Sequence, residues 1–375
     1  MPPSDSLVVA LPHGRAYPLH FRPVTELPAL LEEASLAPGP CLLVTDENVG
    51  PHYAPPLCAS MDAAGWEPTV LTFPAGESTK SLDALTRLYD KALALGLSRQ
   101  TPVLALGGGV IGDLAGFAAA TLLRGLPLIQ IPTSLIAQAD SAIGGKTGIN
   151  HTAGKNLIGA FHQPCLVLID TATLSTLSER DYTSGLAEVV KAALIADAEF
   201  AEWLVASWDA ILGGDTDTVH TLVRRAVSIK AEIVAADERE AGQRMLLNFG
   251  HTFGHAIERV TGYGTFTHGE AVAVGMRAAL HLSASVATGS IWTGPLPKPF
   301  ARAEALVAHL PAFGSLEAVD AGTLTTAMRT DKKRGAAGLR FVVLTDLGHA
   351  TVVDSLPEQM ITAAWRHVGA RSTPA

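Results

Sequence analysis

Thr101–Phe117, TPVLALGGGVIGDLAGF, places an uncharged apolar run, three consecutive glycines and a helical pattern in direct succession. Val103–Leu106 predicts a strand, and Gly107, Gly109 and Gly112 fall in GxGxxG spacing between it and a helix. Glycines at such a turn let bare backbone N–H groups approach a pyrophosphate at a helix N-terminus. The same spacing arises where strand and helix simply pack closely, so it fixes a strand–turn–helix unit before it fixes a ligand. The dinucleotide fingerprint belongs to the first βα unit, with an acid about 20 residues later. Here the glycines come well into the chain, and the neighbourhood of Gln130 has no acid; Asp46, after an earlier apolar run in LLVTDEN, is the alternative ribose ligand.

Outward from this unit, the apolar runs Ser6–Ala10, Cys41–Thr45, Thr69–Phe73, Leu128–Ile131 and Leu166–Ile169 alternate with helical patterns, which predicts an α/β layer with a largely parallel sheet. Ser81–Leu95 spaces Leu82, Leu85, Leu88, Tyr89, Ala92 and Leu95 for a helix with one apolar face. After Leu177 the strand pattern stops, and Gly185–Ile195, Asp197–Ile211, Thr216–Ala236, Phe249–Val260 and Gly269–Ala287 read as amphipathic helices. The expectation is an N-terminal Rossmann-like α/β domain over residues 1–177 and a C-terminal α-helical domain over 178–375. Thr288–Pro299 separates the bundle from a last helical section in which only Leu339–Leu344 reads as a strand, and Arg371–Ala375 is expected to fray.

With 375 residues, 48% hydrophobic and 17% charged, the chain has material for two cores and excludes general disorder. No repeat of fixed period is present. A net charge of −9, from 27 basic and 36 acidic residues, opposes a general polyanion binder but leaves room for a local basic pocket. The N-terminus has two prolines and Asp5 where an export signal needs basic residues and an apolar run, and the most apolar region, Val103–Leu123, is broken by five glycines and Asp113. Three widely separated cysteines, Cys41, Cys58 and Cys165, fit neither a disulfide framework nor a thiolate zinc site, so a reducing cytoplasm is expected.

Several further stretches bear on chemistry. DSAIGGKT ends like a Walker A loop, but Asp140 stands where the motif needs glycine and its charge would oppose phosphate, so the NTPase reading is rejected. The adjoining stretch, KTGINHTAGKN, is a glycine-rich loop with Lys146, Asn150, Lys155 and Asn156, a set suited to anions and hydroxyls. NFGHTFGHAIE puts His251 and His255 one turn apart on a helix, without the glutamate of HExxH. His268 begins the next helix and Glu188 lies on an earlier one, so three or four N/O donors can converge in a bundle; zinc with His₂Glu and open positions is chemically reasonable. Lys230, Glu240 and Arg244, taken alone, read as a solvated, salt-bridging helix face.

Taken together, GGGVIGDLAGF, RG, QIPTSLIAQADSAIGGKTGINHTAGKNLIGAF, SGLAEVVK, KAEIVAADERE, NFGHTFGHAIE and HGEAVAVGM closely resemble 3-dehydroquinate synthase, in order and spacing, from about Asp46 to Lys333. The resemblance implies a cytoplasmic homodimer with an NAD-binding α/β domain and an α-helical metal-binding domain. The implied reaction takes 3-deoxy-D-arabino-heptulosonate 7-phosphate to 3-dehydroquinate and phosphate, the second step of the shikimate pathway, with NAD regenerated in each turnover and a divalent zinc or cobalt ion. It implies Glu188, His251 and His268 as metal ligands, and Asp46, Glu47, Asn48, Glu77, Lys80, Gly108, Gly109, Val110, Asp113, Thr133, Ser134, Lys155, Thr173 and Thr176 as NAD contacts. It assigns Asp140, Lys146, Asn156, Lys191, Lys230, Arg244, Asn248, His255 and Lys332 to the substrate, Lys332 being preferred to Lys333, with Arg124 reaching in from the other subunit. Glu240 and His255 match proposed proton acceptors, and Lys146, Lys191 and Asp140 complete the catalytic set. Sister sugar phosphate cyclases, such as aminodehydroquinate synthase, and more distantly metal-dependent alcohol or glycerol dehydrogenases, are the alternatives. A non-catalytic binding protein would be expected to have lost a member of this set, and none is lost.

Overall fold

The computed structural model describes residues 5–262, 264–310, 314–332 and 339–371, and the side chains of Thr330, Asp331 and Lys332 lie outside the description. The chain divides into two compact units: 1–177 with 230–239, and 178–229 with 240–375.

In the first unit, β1 (Ser6–Ala10), β2 (Ala16–Phe21), β3 (Pro40–Asp46), β4 (Glu67–Phe73), β5 (Val103–Gly107), β6 (Leu128–Pro132), β7 (Lys146–His151), β8 (Gly154–Phe161) and β9 (Leu166–Ile169) accompany α1 (Leu27–Glu33), α2 (Gly50–Ala63), α3 (Leu82–Ala94) and α4 (Gly109–Thr121). Seven strands form one sheet in the order β1-β2-β9-β6-β5-β3-β4. All its pairings are parallel except β1 with β2. Alternation along each strand feeds two cores. Leu42, Val44, Val103 and Ala105 meet α3 and α4 on one face, while Cys41, Leu43, Leu104 and Leu106 meet α1 and α2 on the other. This is a doubly wound sheet. From β3 the chain goes outward to β4 and then returns to β5 on the other side, so the direction of winding reverses between β3 and β5.

Two expectations for this unit change. β2 escaped the strand reading because Pro18 and His20 interrupt its apolar pattern; it pairs with both β1 and β9. The KTGINHTAGKN stretch is an antiparallel hairpin, β7 with β8, rather than a loop. Its glycine content hid it: Gly148 lies opposite Gly159, where an added Cβ would stand 2.6 and 2.2 Å from the facing carbonyl oxygens of Ile158 and Thr147. Lys146 therefore opens a strand and not a helix, which is incompatible with a P-loop.

The second unit contains α5 (Glu179–Ala196), α6 (Ala198–Ala206), α7 (Trp208–Leu212), the first part of α8 (Thr216–Ala236), α9 (His251–Thr261), α10 (His268–Thr288), α11 (Lys298–Val307), α12 (Ala321–Lys332) and α13 (Glu358–His367). The expected Asp197–Ile211 helix is two helices that meet at Ser207. Leu339–Leu344 is not a lone strand: β10 (Arg340–Asp346) pairs antiparallel with β11 (His349–Asp354). α10 is long and apolar enough to cross a membrane, yet 72% of that window is buried inside the fold, as in a core helix.

Glycines set how closely α5, α9 and α10 approach. A Cβ at Gly269 would lie 1.9 Å from the Ser184 carbonyl oxygen on α5, and one at Gly275 would lie 2.1 Å from the Gly250 carbonyl oxygen. Gly250 itself holds φ 78°, a left-handed conformation suited to glycine, and a Cβ there would meet Met276 at 2.7 Å. Gly269→Ala and Gly275→Ala each force these helices apart at the backbone. Each is expected to lower unfolding stability in urea by about 1–3 kcal/mol or more, whereas Gly294→Ala, whose Cβ would meet only Trp292 at 3.4 Å or beyond, should cost far less.

Candidate functional site

In the first unit the residues assigned to a dinucleotide stand at or beyond the carboxyl ends of parallel strands. Asp46 ends β3, with Glu47 and Asn48 after it; Glu77 and Lys80 follow β4; Gly108, Gly109 and Val110 follow β5; Thr133 and Ser134 follow β6; Thr173 and Thr176 follow β9. Open α/β sheets bind ligands at this edge, at the point where winding reverses, here β3 and β5. Asp46 Oδ1 accepts the backbone N–H groups of Asn48 and Val49 at 2.9 and 3.0 Å, which orients the carboxylate at the start of α2. Added Cβ atoms at Gly108 and Gly109 would stand 3.3 and 3.0 Å from the hydroxyls of Ser134 and Ser141, so any larger residue would fill the turn. Tyr53, which carried no signal in the sequence, donates to the Thr173 carbonyl at 3.1 Å and lies 2.8 Å from the Thr176 hydroxyl.

A polar network continues from these loops into the hairpin. The buried Lys80 ammonium donates to Asp113 Oδ2 at 2.6 Å and to Asn156 Oδ1 at 2.5 Å. Asn150 donates to Glu77 Oε1 at 2.8 Å and accepts from the Asn156 backbone at 2.9 Å. Asn156 adopts φ 54°, so the hairpin turns its amide toward Lys80 through a left-handed residue. Lys155 precedes it on β8, half-buried. Asp140, in a turn of π-helix over Ala137–Ser141, receives Lys230 at 2.5 Å. Lys146 is exposed at the mouth of the hairpin, after Gly144 and Gly145 at φ 97° and 67°. Arg124 is exposed and follows Leu123 in a pair of consecutive left-handed residues, φ 68° and 50°. Strained non-glycine residues of this kind concentrate at functional sites.

In the second unit Glu188 and Lys191 sit one turn apart on α5, both 2% exposed. His251 is the first residue of α9, and His268 is the first of α10. The α10 start is locked: Thr267 caps Glu270 N–H, Glu270 Oε2 accepts Thr267 N–H at 2.8 Å, and Arg180 from α5 clamps the same carboxylate at 2.6 and 2.8 Å. Donor atoms of Glu188, His251 and His268 all fall within 4.8 Å of one another. Each imidazole turns Nε2 to Glu188 Oε1 at 3.4 Å. Lys191 contacts the other oxygen of Glu188.

Burial alone would raise the Glu188 carboxyl, but Lys191, His251 and His268 hold it well below the usual carboxylate range. Burial and the Lys191 charge push His251 well below an ordinary imidazole. His268 opposes its burial by hydrogen bonding to Glu188 and Glu258 and is pushed up to about 10. Both Glu188 oxygens are sealed from solvent, one against the Lys191 ammonium and the other facing the two imidazoles. A buried, ionised carboxylate faced by two imidazole nitrogens fits a divalent zinc or cobalt ion.

Arg244 lies in a 3-10 turn, Gln243–Asn248, at 1% exposure, and Lys230 is also buried, so the solvated helix face expected from their stretch is not what forms. Glu240 holds φ 60° and accepts from Asn248 Nδ2 at 2.9 Å. His255 is exposed on α9, its ring 5.4 Å from that of His251. The Lys332 side chain and all of Lys333 lie outside the described residues. Sequence reasoning missed Glu258, buried on the same α9 face one and two turns beyond His255 and His251; the spacing 251, 255, 258 was the available signal.

Among solved structures, a 2-epi-5-epi-valiolone synthase from Streptomyces hygroscopicus, solved with NAD+ and Zn2+ bound, aligns with a TM-score of 0.82 at 30% identity over 94% of this chain and 96% of that one. A 2-deoxy-scyllo-inosose synthase, complexed with carbaglucose-6-phosphate, NAD+ and Co2+, aligns with a TM-score of 0.83 at 25% identity over 97% and 99%. The α/β layer and helical unit therefore define a protein of sugar phosphate cyclase architecture. The sequence then narrows the class: residues 70–184 match the family model "3-dehydroquinate synthase N-terminal" and residues 185–334 match "3-dehydroquinate synthase C-terminal". A 3-dehydroquinate synthase of Salinibacter ruber is 52% identical over 353 residues, 94% of each chain. The chain belongs to the 3-dehydroquinate synthase family.

The Lys80–Asp113 pair supplies a test of the first unit. Burial raises the Asp113 carboxyl, and Lys80 opposes the rise. A folded pKa above the unfolded one means that stability falls as pH rises through that interval. Lys80→Met removes the opposing cation, so its deficit should widen as pH rises through and above the ordinary carboxylate range. The loss near neutrality should be about 3 kcal/mol, the low end for a broken buried pair because Asp113 is 20% exposed. Denaturant titration across that range measures it, and adding Asp113→Asn should recover most of the loss.

Proposed function

We propose that the protein acts as a 3-dehydroquinate synthase, converting 3-deoxy-D-arabino-heptulosonate 7-phosphate to 3-dehydroquinate and phosphate. The observation that carries this reading is the convergence of Glu188, His251 and His268 within 4.8 Å in a chain of this family. NAD on the strand-end loops of the first unit would supply transient oxidation of the C5 alcohol, and zinc or cobalt on the Glu–His–His set would acidify that hydroxyl and polarise the ketone. Glu188 brings the negative charge to the metal set, and Lys191 beside it balances that charge and offers a donor to a substrate hydroxyl. The Asp140–Lys230 pair orients the Lys230 ammonium as a second hydroxyl donor. Arg244 offers a planar fork to the substrate carboxylate, with Asn248 nearby in the same turn. Lys146, Lys332 and Arg124 are assigned to the phosphorylated end, where positive charge binds phosphate and stabilises it as it leaves, and Asn156 to the substrate as a neutral hydrogen-bonding group. Glu240 and His255 are assigned as proton acceptors.

We further propose that the enzyme is a cytoplasmic homodimer in which Arg124 serves the partner's site. Two features of the first unit support this. Arg124 is exposed and conformationally strained. Beside it, where His162 bonds the Leu126 carbonyl at 2.9 Å, β8 exposes Leu157 and Phe161 on one face and Ile158 on the other, apolar surface that a second copy would cover.

Metal-loaded protein with catalytic NAD should release phosphate from the heptulosonate 7-phosphate and form dehydroquinate over many turnovers without net NADH. No phosphate release from that substrate, with turnover of a sister cyclase's sugar phosphate instead, would reassign the substrate; accumulating NADH would indicate a dehydrogenase. Arg244→Ala should lower kcat/KM by roughly 10- to 100-fold, the worth of a charge-assisted pair. If Arg124 acts across a dimer, mixing refolded Arg124→Ala and Lys146→Ala chains, each inactive alone, should restore about a quarter of the active sites.

A further inference from the structure

His268 has a carboxylate at each nitrogen. Its Nε2 faces Glu188 Oε1 at 3.4 Å, and its Nδ1 faces Glu258 Oε2, also at 3.4 Å. Glu258 is 5% exposed, although a carboxylate is rarely buried without a task, and it stands one turn beyond His255 on the α9 face that also bears His251. The other imidazole of the set is arranged differently: His251 turns Nε2 to Glu188 and Nδ1 to the Phe249 carbonyl at 3.3 Å. One ring is thus backed by a neutral carbonyl and the other by an ionisable carboxylate. Metal-bound histidines commonly donate the second ring N–H to a carboxylate or carbonyl, which fixes the tautomer and the ring orientation and strengthens the ligating nitrogen.

We propose that Glu258 is a positioning residue of the metal centre: its buried carboxylate accepts the Nδ1–H of His268 and so commits Nε2 to the ion. The inference rests on the metal-site reading above. It also decides between two roles for Glu258, because His255, Glu258 and His268 form a second donor group with atoms within 4.8 Å of one another. As a positioning residue Glu258 holds His268 from behind and binds no ion. As a ligand it would give the chain a second metal, bridged through the His268 ring.

The test is zinc binding by competition with a chromogenic chelator, and the visible spectrum of the cobalt-loaded protein, for the NAD-bound parent chain, Glu258→Gln and Glu258→Asp. The parent should bind one ion per chain. Glu258→Gln should bind zinc about 10- to 100-fold more weakly and shift the cobalt bands, with NAD affinity unchanged and Glu258→Asp recovering part of the loss. Equal zinc affinity and an identical cobalt spectrum in folded Glu258→Gln would overturn the proposal. So would two ions per parent chain, one of them lost in the variant. A parent chain that binds no zinc or cobalt overturns the metal-site reading itself and this inference with it. Should the variants fail to fold, the zinc-loaded parent labelled with nitrogen-15 histidine decides the matter. Both bound rings should carry the ion on Nε2 and the proton on Nδ1, and coordination through Nδ1 of either ring contradicts the assignment.

Discussion

Backbone-to-backbone contact among α5, α9 and α10 is the constraint on which the helical unit's chemistry depends. Gly269 rests on the Ser184 carbonyl and Gly275 on the Gly250 carbonyl, with no room for a methyl group at either place. The crossing puts the first residues of α9 and α10, His251 and His268, against Glu188 in the middle of α5. Helix starts are suited to this duty: they need caps and not side-chain burial, and here Gly250 and the Thr267–Glu270 capping box provide them. The three candidate ligands are thus placed by rigid elements, with Arg180 tying the α10 cap back to α5.

Burying Glu188 as a carboxylate costs free energy that the unit offsets with Lys191 and two imidazoles. A lysine alone would satisfy a structural glutamate. The imidazoles add coordination capacity that a lysine lacks, and the Glu188 oxygens beside them, sealed from solvent, are what a cation would use with them. The first unit solves a different problem by the same means. Lys80 gathers Asp113 and Asn156, linking the loop after β4, the first turns of α4 and the β7–β8 hairpin into one polar assembly beside the glycine turn.

Much of this was legible in the chain. The apolar run and glycines of Thr101–Phe117 gave β5, its turn and α4, because a buried parallel strand needs an unbroken apolar run and an added Cβ at Gly107 would stand 2.8 Å from Ile111. Glu188, His251 and His268 were singled out by residue type and by the resemblance, and the fold brings them together. The β7–β8 hairpin was not legible: its glycines, asparagines and lysines are poor strand formers, and only tertiary pairing makes them a ribbon. Lys230 and Arg244 looked like solvated charges because burial is invisible in sequence: Lys230 is buried on α8 against Asp140, and Arg244 is buried in the 3-10 turn after the helix has ended. Glu258 was passed over since its meaning depends on which nitrogen of His268 it faces.

The central claim is one divalent ion held by Glu188, His251 and His268, and anomalous diffraction at the zinc edge from zinc-loaded crystals tests it most directly. The account predicts one strong peak per chain, about 2.0–2.2 Å from a Glu188 oxygen and from Nε2 of both histidines. A peak seated instead on His255 and Glu258, or none at Glu188, would contradict it.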